Sequence, residues 1–141
     1  MLNDSPDTSA LHVFLDDAHR LIGRAQECLH HFQLIGEDAD ASDCLIGTLA
    51  SLQDKASAQG QAQIAGFCQQ LCARLEPAGH RNRLHGAALG TLEACLCLLA
   101  WQVELIDPFT GILNLDNEEQ QELLQHLDQV LASSGLPVEN A

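Results

Sequence analysis

Two sets of side chains have the types and spacing to do chemistry. Cys68 and Cys72, four apart, are followed by His80 and His85, and four such donors can close a tetrahedral zinc site or serve a redox-linked bundle. Cys68 also continues an apolar face, and the two imidazoles lie in or beside a Pro/Gly turn. Core thiols and solvated histidines are therefore the plainer reading, and no metal or other cofactor is expected. Glu27 and His30 stand three apart, as in carboxylate-bridged di-iron helices, but such sites need the motif twice and the sequence has it once. No nucleophile elbow, phosphate-binding glycine loop or dinucleotide fingerprint occurs, so no enzyme activity is expected.

The elements that would carry these residues read as helices throughout. From Leu11 an apolar stripe runs through Phe14/Leu15, Ala18, Leu21/Ile22, Ala25, Cys28/Leu29 and Phe32, with Thr8 or Ser9 as cap and Gly36 as stop. A second helix starts from a Ser42/Asp43 cap and buries Leu45/Ile46, Leu49, Leu52 and Ala56 before Gly60. The third aligns Ile64, Phe67/Cys68, Leu71 and Leu75, with Pro77 and Gly79 ending it. The fourth is apolar almost all round between Ala94 and Trp101, which calls for cover on more than one side. Asp116, Glu118 and Glu119 open the fifth, whose buried face is Leu123/Leu124, Leu127 and Val130/Leu131 and whose stop is Gly135. The expected helices cover roughly 9–35, 42–58, 61–76, 82–106 and 117–134, in one all-α domain spanning residues 1–141. Short connections make it an antiparallel four-helix bundle plus one additional helix.

Charge narrows the partners. Six basic residues against twenty acidic ones give a net charge of -14 over 141 residues. Phosphate backbones and anionic lipid surfaces both demand a basic face, so neither nucleic acid nor membrane is an expected partner. The longest unbroken apolar run, Ala94 to Trp101, is far below the roughly 20 residues of a membrane span. The first twenty residues lack a basic start and an apolar stretch, so no secretory signal is expected. A cytoplasmic chain accounts for six cysteines, Cys28, Cys44, Cys68, Cys72, Cys95 and Cys97, as mostly structural thiols.

Two segments carry a family resemblance. VFLDDAHRLIGRAQECLHHFQL (Val13–Leu34) and TLASLQDKASAQG (Thr48–Gly60) resemble the first helix and the signature helix of histidine-containing phosphotransfer (HPt) domains. The similarity is greatest to the amino-terminal phosphotransfer domain of chemotaxis histidine kinases. The resemblance implies a bundle whose second helix carries a phospho-accepting His, a basic residue three on, a small residue or Gly four on and a Gly ten on. Anchored on Gly60, the acceptor position holds Ala50, the basic position Gln53 and the small-residue position Asp54. Alanine has no nucleophile, Gln53 cannot neutralise a phosphoryl charge, and Asp54 repels one. No His lies between Asp40 and Gly79, and the nearby hydroxyls of Thr48 and Ser51 have no visible activating base.

What the resemblance then implies is a pseudo-phosphotransfer module for two-component or chemotaxis-like signalling. It would dock a response-regulator receiver domain or a histidine kinase without passing on phosphate. The docking surface, on the second and third helices, comprises Thr48, Ala50, Ser51, Gln53, Asp54, Ser57 and Gln61. The rival readings are the Cys68/Cys72/His80/His85 bundle and a structural homodimer that buries apolar surface near Trp101.

Overall fold

The computed structural model describes residues 5–35, 39–80 and 86–135, with side chains over 9–34, 40–76 and 86–132. Five helices follow one another: α1 (Ser5–Ile35), α2 (Ala39–Ala58), α3 (Ala62–His80), α4 (Ala87–Leu105) and α5 (Glu118–Gly135). There is no strand among the described residues, and the fold is an all-α helical bundle.

Cross-helix contacts fix the directions. Cys28, late in α1, meets Cys44, early in α2, while Asp17 and Lys55 meet at the opposite end of the same pair. Those two contacts make α1 and α2 antiparallel. Cys72 of α3 reaches the Ile46 carbonyl of α2, and Gln102 of α4 meets Gln120 of α5, so these neighbours are antiparallel as well. Gln63 and Arg74 of α3 contact Asp116 and Asp128 in the same order, which sets α3 and α5 parallel. The chain therefore runs up, down, up, down, up. α1 packs on α2 and α4, and α5 leans on α4 and α3.

The apolar stripes read from the sequence meet in one core. Leu45, Leu49 and Leu52 of α2, Ile64, Phe67, Leu71 and Leu75 of α3, and Leu92, Leu96 and Leu99 of α4 are its most enclosed large side chains, with Leu124 and Leu127 from α5. On α1 the buried set runs Leu11, Phe14, Ala18, Ile22, Ala25, Cys28, Leu29 and Phe32, the seam that a 3.6-residue period dictates.

Several helix limits differ from expectation, each for a local reason. α1 starts at Ser5, so Thr8 and Ser9 lie inside it rather than capping it. Likewise α2 starts at Ala39, with Asp40 in its first turn complementing the helix dipole, and Ser42 and Asp43 are interior. α3 passes through Pro77 and Gly79 to His80. Proline near a helix end forfeits only the bond its own nitrogen would donate, and the helix continues just three residues beyond it. α4 begins after Gly86, whose φ of 58° suits glycine, while residues 82–85 lie outside the described set. It ends as Ile106 turns extended, two residues before Pro108.

α4 is more apolar than its central run alone suggested: by length and composition it would suffice to cross a membrane. More than half of it is buried inside the bundle, against α1, α3 and α5. The cover is incomplete. Ala94, Cys97, Trp101 and Leu105 form an uncovered strip, with Trp101 62% exposed.

The connection from α4 to α5 is irregular but tied down. The Asp107 carboxylate accepts the Phe109 and Thr110 amides, and Gly111, with φ 74°, donates its amide to the Asp107 carbonyl at 2.7 Å. Gln61, at the α2–α3 corner, donates its side-chain amide to the Gly111 carbonyl at 2.7 Å.

Candidate functional site

α2 turns Leu45, Leu49, Leu52 and Ala56 into the core, so its other side is what a partner can reach. Of the residues expected there, Ser51, Asp54 and Ser57 are exposed, and Ala50 and Gln53 are half-buried. Thr48 and Gln61 are not on that surface. Both are buried, Thr48 against α1 beside Cys44 and Gln61 as the latch to Gly111. Helical position explains Thr48: it follows Cys44 by one turn, on the flank that faces α1.

This surface has little reactive chemistry. The only cation on α2, Lys55, points across to α1, where its Nζ lies 3.5 Å from Asp17 Oδ2. Asp17 is also paired with Arg20. No described imidazole belongs to α2: His12, His19, His30 and His31 are on α1, and His126 is on α5, all exposed.

The Glu27/His30 pair is exposed on α1, and no group of three or more potential metal donors occurs among the described residues. In the Cys68/Cys72 pair, Cys68 is fully buried and burial pushes its thiol up to about 12. Cys72 is half-buried and also raised by burial, to about 11, with its Sγ 3.7 Å from the Ile46 carbonyl. Neutral, enclosed thiols are poor ligands and poor nucleophiles. His85 and the side chain of His80 lie outside the described residues.

A different cluster appears where α1 and α2 meet. Cys28 Sγ donates to Cys44 Sγ at 2.6 Å. Cys28 is buried at 8% exposure, and Cys44 is half-buried. The hydrogen bond from Cys28 lowers the Cys44 thiol below its ordinary value, and the neighbouring Arg24 and Thr48 add to this against the opposing effect of burial. Burial moves Cys28 the other way, up to about 12. Both cysteines line an open groove of about 710 Å³ that also takes in His19, Arg20, Arg24, Glu27, His31 and Asp40. A second recess of about 420 Å³ continues past Arg24 and Cys44 to Ser51.

The arrangement brings two exposed histidines, two arginines, two carboxylates and a polarised thiol pair to one side of the α1–α2 hairpin. Sequence reasoning missed the thiol pair because its members are sixteen positions apart on separate helices. The available signal was their placement: each sits at the edge of its own apolar stripe, equally far from residue 36. In comparisons with known proteins, no family model matches the chain, and no curated protein or solved structure matches it.

Proposed function

We propose that the chain is a non-catalytic, HPt-like interaction module that docks a receiver domain of two-component type. The observation that carries this reading is the reachable row on α2. Ala50 stands where the resemblance places the phospho-acceptor, between exposed Ser51, Asp54 and Ser57 and half-buried Gln53. Small side chains without a cation allow close approach of a partner helix and offer nothing to stabilise a transferred phosphoryl group. The role is recognition, by competition or scaffolding, rather than group transfer.

The test is a phosphotransfer assay together with a binding titration against the host's receiver domains. Expected is saturable binding of a receiver, lost on Ala50→Arg with the helical spectrum intact, and no label retained on the chain. Label held stably at His19, the exposed imidazole beside Arg20 and Arg24, or at Thr48 or Ser51, would overturn the non-catalytic reading.

A second reading is self-association through α4, favoured by the Ala94, Cys97, Trp101 and Leu105 strip. Trp101 and Leu123 border a recess of about 470 Å³ beside it, which a second copy's apolar side chain can fill. Light scattering on the wild type and Trp101→Glu decides: a dimer that becomes a monomer supports it, and a wild-type monomer at high concentration removes it.

A further inference from the structure

We infer that Cys28 and Cys44 form a reversible dithiol–disulfide couple, exchanging with a low-molecular-weight disulfide that enters the groove between α1 and α2. The two sulfurs are 2.6 Å apart. A disulfide bond needs about 2.05 Å, so closure asks for little movement of either helix. Access is unequal: both residues line the groove, but Cys28 is buried at 8% exposure whereas Cys44 is half-buried. That assigns the roles. Cys44 attacks and Cys28 resolves.

The electrostatics support the same order. Cys44 accepts the Cys28 hydrogen bond and shares its recess with the Arg24 guanidinium and the Thr48 hydroxyl, neighbours that favour its thiolate. Cys68 and Cys95, enclosed in the core, have no comparable setting, and burial pushes both up to about 12. In the first step Cys44 gives up its proton to solvent, and its thiolate attacks one sulfur of RSSR. The S–S bond breaks, RS⁻ departs, and Cys44–S–SR forms. In the second step Cys28 passes its proton to the RS⁻ freed in the first, and its thiolate attacks Cys44 Sγ; the second RS⁻ leaves and takes a proton from solvent. Two cysteines have been oxidised and one external disulfide reduced to two thiols. Added reduced thiol reverses both steps.

The experiment uses the full chain carrying Cys97→Ser, which removes the exposed thiol elsewhere on the bundle. It is equilibrated with mixtures of oxidised and reduced glutathione, acid-quenched, alkylated and peptide-mapped. Expected are a Cys28–Cys44 crosslink, two released thiols per chain, and full reversal in excess reduced glutathione. Cys28→Ser and Cys28→Ala each arrest as a glutathione adduct on Cys44, whereas Cys44→Ser yields no crosslink. Arg24→Gln slows adduct formation about tenfold at neutral pH and much less at alkaline pH, where the thiolate no longer needs the cation. A chain that stays reduced in pure oxidised glutathione, or that reacts first at Cys68, Cys72 or Cys95, would overturn the inference.

Discussion

Gln102 of α4 and Gln120 of α5 meet inside the bundle, the amide of Gln102 donating to the Gln120 side-chain oxygen at 3.0 Å. Both are buried, at 1% and 4% exposure. The Gln102 side-chain oxygen has no hydrogen-bonding partner there. A lone polar bridge in an apolar interface fixes how the two helices align more than it strengthens them.

Gln120→Leu is therefore expected to destabilise the chain by about 1–3 kcal/mol, because it strands a buried amide. The double change Gln102→Leu/Gln120→Leu should recover most of that loss. Urea titrations of the wild type, both single variants and the double variant measure the coupling. A double variant no better than the worse single one would show that the pair contributes through packing instead.

The thiols set the alkaline limit of the fold. Burial holds Cys28, Cys68 and Cys95 at about 12 and Cys72 at about 11. In the unfolded chain a thiol titrates near 8.5. The unfolded state thus releases these protons first, so their stabilisation is complete below about pH 8.5 and is lost as pH rises toward 11–12. Each fully buried thiol contributes a slope of about 1.4 kcal/mol per pH unit in that window. Denaturant midpoints between neutral and strongly alkaline pH should fall accordingly, and Cys95→Ala should flatten the decline. Cys44, shifted downward, acts in the opposite sense, with a contribution that fades as pH falls through its folded value.

Gly111 occupies a left-handed conformation, φ 74°, which L side chains adopt at a cost. An added Cβ there would lie 3.6 Å from Leu11 and 3.7 Å from the Gln61 amide, ordinary contact distances. The backbone alone should decide the outcome of Gly111→Ala, a loss of about 1–2 kcal/mol in a thermal or urea melt. Gly111→Asn should lose less, since Asn tolerates that region.

Arg74 of α3 grips Asp128 of α5 at two points, Nε to Oδ1 at 2.7 Å and Nη2 to Oδ2 at 3.1 Å. Asp128 is largely solvent-exposed, so the pair is screened and worth only about 0.5–1 kcal/mol. Arg74→Met should show that loss at low ionic strength and a smaller one in molar salt.

The helices were legible because a 3.6-residue period writes the buried face directly into the order of residues, as the α1 seam from Leu11 to Phe32 shows. What the period could not show was which helix flanks face each other. The resemblance placed Thr48 and Gln61 on the surface, yet one is buried beside Cys44 and the other reaches a loop fifty positions away. Pro77 read as a stop because proline usually is one, but near a helix end it forfeits little. The Cys28–Cys44 and Asp17–Lys55 contacts are both centred on residue 36, and that register emerges only once two helices are folded against each other.

The Gln61–Gly111 tether also ties two territories that the chain keeps apart. It holds Phe109, 82% exposed, over the recess formed by Ala58 and Gln59 at the end of α2. The far end of α2 thereby gains an aromatic neighbour from a stretch some fifty residues along the chain. If a partner docks on α2 as proposed, Phe109→Ala should change receiver binding in the same titration without altering α2.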